Sequence, residues 1–170
     1  MNKDHQADQG PYFEDLKPGM KFKSRIGRTV TDADNIWFTL MTNNLNQIHF
    51  NSDYTQRYFS GEPFNGRMVV NGFFTLSTVV GLLVEYTSIN GFMLGLDELR
   101  FYSPVFAGDT IYAECEVLEA RESKSRPGMG IVKIVTYGHN QRGDKLIQFY
   151  RSFMVRKRNA RWVDRSKEAD

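Results

Sequence analysis

Two residues in this chain have the types and setting for acid–base chemistry on a carbonyl compound. His49 is the one titratable base in the amide-rich run Asn43-Asn44-Leu45-Asn46-Gln47-Ile48-His49-Phe50. Imidazole titrates at about pH 6.5, so it can take up and return a proton under working conditions. Gly72 follows in Gly66-Arg67-Met68-Val69-Val70-Asn71-Gly72-Phe73-Phe74, where the most apolar helical stretch begins. Backbone N–H groups at a helix start carry partial positive charge and suit an oxygen that becomes enolate-like. A glycine there lets a substrate approach the backbone closely. Asn44 and Asn46 flank the base and can hold water or fix the ring by amide hydrogen bonds. The bland alternatives are a loop whose amides bond their own backbone and a glycine kept for packing.

The elements that must position this pair follow from pattern. Thr31-Asp32-Ala33-Asp34 marks a helix start, with Thr31 as cap and the acids at the positive end of the dipole. Ile36, Trp37, Leu40 and Met41 fall on one face, which predicts a helix to about Thr42 with that face inward. Ser52 is the expected cap of a short helix carrying Tyr54, Tyr58 and Phe59. A long central helix is expected over Asn71–Thr87, apolar nearly all round and therefore buried. Its uncharged length approaches that of a membrane span, but Asn71, Thr75, Ser77 and Thr78 interrupt it, which argues for a buried helix. Beyond Asn90-Gly91 the period becomes two. Strands are expected over Phe92–Tyr102, Ile111–Val117, Ile131–Tyr137 and Leu146–Val155, with a hairpin turn at Asn140–Asp144. Earlier, Phe22, Ser24 and Ile26 alternate with Lys21, Lys23 and Arg25 as a half-exposed strand. About five antiparallel strands curved around one long helix make an α+β fold.

The 170 residues suffice for one domain, with 41% apolar and 25% charged residues, as in an ordinary globular protein. The net charge of +2 gives no reason to expect nucleic acid as a partner. A single cysteine, Cys115, excludes an intrachain disulfide and offers no metal cluster. Its alternation with apolar neighbours reads as buried and inert. Residues 1–11 are polar and expected to be a disordered tail without a signal-peptide core, which makes a reducing cytoplasm the expected compartment. Residues 157–170 are expected to be a loose charged tail, with Trp162 and Val163 able to dock. His5 lies in the first tail, and His139 beside the hairpin turn reads as solvated.

In this layout the chain resembles the MaoC-type dehydratases, relatives of the R-specific enoyl-CoA hydratases, which have the hot-dog fold. Their signature, roughly Gly-Asp-x-Asn-Pro-aliphatic-His, matches here at Asn46, Ile48 and His49. The run Gly66–Gly72 resembles the start of the family's central helix, and Phe101–Thr110 its strand–turn–strand. The likeness covers residues 12–156. It is nearest to members with Asn-x-Asn-Pro-Ile-His linked to itaconyl-CoA or mesaconyl-CoA hydration, which Ser125–Val132 also resembles. Two departures matter. The family's catalytic aspartate position holds Asn44, and the proline position holds Gln47. An amide takes no proton at neutral pH, so only His49 carries over as a titrating group.

The resemblance implies a hydratase or dehydratase acting on a short enoyl-CoA thioester, branched or dicarboxylic acyl groups included. His49, Asn44, Asn46 and the Gly72 N–H would form the catalytic set, with Asn71 beside them at the substrate. Coenzyme A enters as part of the substrate, or an acyl carrier's phosphopantetheine replaces it, and no separate cofactor or metal is implied. Arg121, Lys124 and Arg126 are the candidates for the phosphates, with the run Arg156-Lys157-Arg158 as an alternative that also reads as a solvated end. A homodimer with the substrate across its interface is implied as well. Two other classes stay open. A hot-dog thioesterase would use a carboxylate such as Asp53 or Glu62, and a non-catalytic acyl-thioester binding module would explain the missing acid at position 44.

Overall fold

The structure, a computed structural model, describes residues 10–160. Strands β1 (Lys21–Lys23) and β2 (Arg28–Thr29) precede helix α1 (Asp32–Met41) and the short helix α2 (Ser52–Tyr58). Helices α3 (Gly72–Gly81) and α4 (Val84–Thr87) follow. Four long strands close the domain: β3 (Gly91–Phe101), β4 (Thr110–Glu122), β5 (Met129–Asn140) and β6 (Lys145–Arg156). All pair antiparallel in the order β1-β4-β5-β6-β3, with β2 also on β4. That is six strands rather than about five, because the first expected strand is broken. At Ser24 the ladder lapses: its N–H still donates to the Ala113 carbonyl, but its Oγ takes the Ala113 N–H in place of a backbone carbonyl, and Ile26 beyond it is exposed.

The period-two strands bury one face against α3. Ile111, Ala113, Cys115 and Val117 of β4 join Val132 and Ile134 of β5 and Ile147, Phe149, Phe153 and Val155 of β6 in one core with Leu76, Val79 and Leu83. Full burial of each large side chain is worth about 1.5–3 kcal/mol, which is what holds the sheet to the helix. At Gly138 a Cβ would lie 2.6 Å from Val79 Cγ2, so the glycine sets how closely α3 lies on β5. The hairpin falls where Asn140 predicts it, its Oδ1 accepting from the N–H groups of Arg142 and Asp144. Cys115 is buried, and desolvation pushes its thiol up to about 11.

Several expectations are corrected. The central helix does not run unbroken to Thr87: it stops at Gly81, a poor helix former, and restarts at Val84 after Leu82 and Leu83. Nor is it buried all round, since the sheet covers one side and leaves Phe73, Ser77 and Gly81 exposed. In α1 the buried residues are the polar Asn35 and Thr39, while Trp37, Leu40 and Met41 are exposed. The cap of α2 is Asn51, whose Oδ1 accepts from the Tyr54 N–H, and not Ser52. Gly10, assigned to the first tail, is held by Asn90 Nδ2, 3.0 Å from its carbonyl. Arg158, assigned to the second, pairs with Asp15 and lies over the Tyr12 ring. Trp162 and Val163 lie outside the described residues.

Arg151 is a charge the apolar pattern of β6 does not anticipate. It is 1% exposed on the core side, where Nη2 donates to Thr87 Oγ1 at 3.0 Å and Nε has no acceptor among the described residues. Burial holds its pKa down to about 10. A base depressed by folding destabilises the fold at every pH below its folded value and relieves that cost only above about pH 10. Arg151→Met keeps an apolar stem and deletes the charge. It is expected to raise Tm by about 2–4 °C per kcal/mol recovered. A lower Tm in a thermal melt at pH 7 would show that the charge is compensated.

Candidate active site

The base is placed by a short turn. Asn46 caps the 3-10 turn Gln47–His49, its Oδ1 accepting from the Ile48 N–H at 3.3 Å. One step earlier, Asn44 Oδ1 accepts from the Asn46 N–H at 3.0 Å. Ile48 is buried and anchors the turn, so that the half-buried His49 follows at its end. His49 Nδ1 lies 2.8 Å from the Val69 carbonyl oxygen. A carbonyl only accepts, so Nδ1 carries the proton in neutral His49 and Nε2 is left as the basic nitrogen.

The helix end is placed by a second cap. Asn71, 2% exposed, accepts from the Phe73 N–H through Oδ1 at 3.0 Å and donates through Nδ2 to Thr39 Oγ1 at 3.3 Å. Its polar atoms are thus spent on the protein itself. Gly72 is the first residue of α3, and no acceptor among the described residues takes its N–H. A Cβ at Gly72 would lie 2.8 Å from Phe101 Cζ, so the aromatic ring rests directly on the glycine.

His49 and Gly72 line one cavity of about 340 Å³, together with Pro63, Thr75, Phe101 and Tyr102. Its wall is mostly apolar, and His49 is the one ionisable side chain in it besides Tyr102. A basic nitrogen and a free N–H in one apolar cleft can move a proton at one end of a substrate and stabilise a developing oxyanion at the other. A larger cavity of about 610 Å³ lies between α3 and the Arg25–Arg28 loop. Its one carboxylate, Glu85, is paired with Arg25, and its other arginine, Arg28, with Asp34. Size therefore does not identify the site, and the chemistry selects the smaller cavity.

Of the other residues expected at the site, Asn44 and Asn46 do not line the cavity, and their side-chain oxygens serve the turn beneath His49. Arg121 pairs with Glu119, and Arg126 lies 5.7 Å from the Phe92 ring centroid. Phe92 and Phe101 sit nine positions apart on β3, roughly 30 Å along an extended strand. Arg121, exposed Lys124 and Arg126 are therefore at the opposite end of the sheet from the cavity of their own chain. Lys157 pairs with Glu122 and Arg158 with Asp15 at that same end. Asp53 pairs with Arg57, Glu62 accepts from Asn65, and neither reaches the cavity. Among the described residues no three His, Cys, Asp or Glu side chains gather as metal ligands, and no helix is long and apolar enough to cross a membrane. Thr75 and Asn35 were not anticipated. The signal for Asn35 is the Asn35/Thr39 pair one helical turn apart after a strong cap, which an apolar-face rule passes over.

Comparison with known proteins identifies the family and the fold. The family described as "MaoC like domain" matches residues 14–140. A mesaconyl-CoA hydratase of Cereibacter sphaeroides is 28% identical over 155 residues, covering 91% of this chain and 43% of its own length. The chain thus spans about half the length of the curated relatives it matches. A MaoC-like dehydratase structure from Rhodospirillum rubrum superimposes with a TM-score of 0.75 at 26% identity, over 89% of this chain and all of that one. A Mycobacterium tuberculosis protein with a double hotdog fold gives 0.78 at 21% identity, over 91% of this chain and 46% of that one. The fold is the hot-dog fold, as the resemblance to the MaoC-type dehydratases implied.

Proposed function

The chain belongs to the family of MaoC-like domains, and on that premise we propose that its His49 cavity adds water to the 2,3 double bond of a short enoyl-CoA thioester, or removes it in reverse. The observation that carries this reading is the shared cavity: a histidine whose Nδ1–H is fixed on the Val69 carbonyl, facing the same space as the unused Gly72 N–H. Nε2 takes a proton from water as its oxygen bonds to the β-carbon. The thioester oxygen gathers negative charge against the Gly72 N–H. The imidazolium then returns its proton to the α-carbon, so water is added whole and the base is restored. Asn44 ionises at no step, and it and Asn46 serve by holding the turn. Names among the relatives, mesaconyl-CoA hydratase and (R)-specific enoyl-CoA hydratase, support this substrate class, branched dicarboxylic esters included. Coenzyme A enters as part of the substrate, and the buried free thiol of Cys115 fits a reducing cytoplasm.

A second hot-dog unit, here a second copy of this chain, completes the site in this reading. Among the described residues strand β3 has β6 on one side and an open edge on the other, with Phe92, Met93, Leu94 and Phe101 exposed. Antiparallel pairing of two such edges sets the Phe92 end of one against the Phe101 end of the other. The second copy's basic Arg121–Arg126 loop then comes to the cavity mouth, where the phosphates of coenzyme A emerge.

The test is incubation of the purified chain with a panel of enoyl-CoA esters, dicarboxylic ones included, scored by product mass and free thiol. Gain of one water without thiol is the expected result. Thiol release would indicate the thioesterase instead, and binding without either a carrier module. Asn44→Ala is expected to slow hydration by about tenfold or less, the worth of one hydrogen bond in the turn. A loss of several hundredfold would mean that Asn44 touches the reacting water.

A further inference from the structure

We infer that Asn35 is a positioning residue, one buried amide that holds the base and the helix end in a common frame; this rests on the reading of His49 and Gly72 above. Asn35 is 1% exposed, on the inner face of α1. Its Nδ2 donates to the His49 carbonyl at 2.7 Å and to the Val69 carbonyl at 3.1 Å. Its Oδ1 accepts from the Asn71 N–H at 2.9 Å. The Val69 oxygen is the same one that takes the Nδ1–H of His49. A single side chain therefore touches the backbone of the base, the carbonyl that fixes its tautomer, and the residue that caps α3 directly before Gly72.

The site requires an amide here. Two donors and an acceptor in one plane, without charge, are found only in asparagine and glutamine, and glutamine is one methylene longer. An ionised aspartate would set a buried charge against two carbonyl oxygens and lose both donors. Leucine would match the shape and leave the His49 carbonyl and the Asn71 N–H without this partner, while the Val69 carbonyl would keep only the His49 Nδ1–H. All of Asn35's hydrogens are used within the protein, so it does not contact substrate and acts only through His49 and Asn71. This also accounts for the inverted burial of α1. The helix turns Asn35 and Thr39 inward, where Thr39 Oγ1 accepts from Asn71 Nδ2, and leaves Trp37 70% and Met41 72% exposed.

The test reads the His49 tautomer by long-range 15N–1H NMR in the unaltered chain, Asn35→Leu and Asn35→Asp, beside hydration kinetics on an enoyl-CoA. The unaltered chain is expected to show Nδ1–H alone. Both variants are expected to show a mixture with Nε2–H, and a kcat lower by about 10- to 100-fold with KM within threefold, the pattern of displaced catalytic geometry. Asn35→Asp keeps size and the acceptor for Asn71, so it decides the matter if the leucine variant does not fold. An unchanged tautomer with kcat within threefold in a folded variant overturns the inference. The spectrum needs no substrate. A chain that hydrates no enoyl-CoA would therefore refute the proposed activity, while the tautomer would still decide the role of Asn35.

Discussion

His49→Ala is expected to lower kcat/KM for enoyl-CoA hydration by about 10²–10⁴-fold, the range of a general acid–base group. The value belongs at the upper end, because one imidazole performs both transfers and no carboxylate lines the cavity to share them. The fold should survive the change. His49 is half-buried, and among the described residues its ring makes one hydrogen bond, to a Val69 carbonyl that Asn35 also satisfies. Tm should therefore fall by no more than a few degrees, at about 2–4 °C per kcal/mol for a chain of this size. Initial rates from the loss of enoyl absorbance, with a melt on the same sample, check both halves. A variant that keeps its rate within tenfold would remove His49 from the chemistry.

The second large effect separates the Gly72 N–H from the space around it. Gly72 is the first residue of α3, the position at which proline is best tolerated in a helix. The preceding Asn71 has φ −55° and ψ 126°, the extended backbone that a following proline demands. Gly72→Pro therefore deletes the N–H with little disturbance of the helix. Gly72→Ala keeps the N–H and adds the same Cβ, which in either variant pushes on Phe101. Phe101 is 51% exposed and can swing aside, so the alanine variant should fold and retain part of its rate. The proline variant is expected to be slower than the alanine variant by about 10²–10³-fold, as for removal of one oxyanion donor. Equal rates in the two variants would show that the thioester oxygen does not use this amide.

The large features were legible because they rest on period and on local capping. The alternation of β4, the hairpin at Asn140 and the Thr31 helix start depend on nearest neighbours, and each lies where it was read. The candidate pair stood out for a different reason: His49 is the one histidine of its stretch, and Gly72 is the glycine at the expected helix start. What was missed depends on contacts far apart in sequence. Asn35 bonds residues 14, 34 and 36 positions away, and nothing near it in the chain announces that. Trp37 and Met41 face outward because the inner face of α1 is claimed by those polar contacts. The basic residues of the β4–β5 loop share a sheet with the cavity but lie at its far end, since sequence spacing says nothing of which end of a long strand faces which cleft. The break after Gly81 and the open Phe73 stripe likewise follow from how much of α3 one curved sheet covers.

The most direct test is a crystal structure of the chain with a saturated short-chain acyl-CoA, which cannot be hydrated. The account predicts the thioester oxygen about 2.7–3.1 Å from the Gly72 nitrogen and the acyl β-carbon turned toward Nε2 of His49. An acyl group seated between Arg25 and Leu82, with the His49 cavity left to solvent, would contradict it.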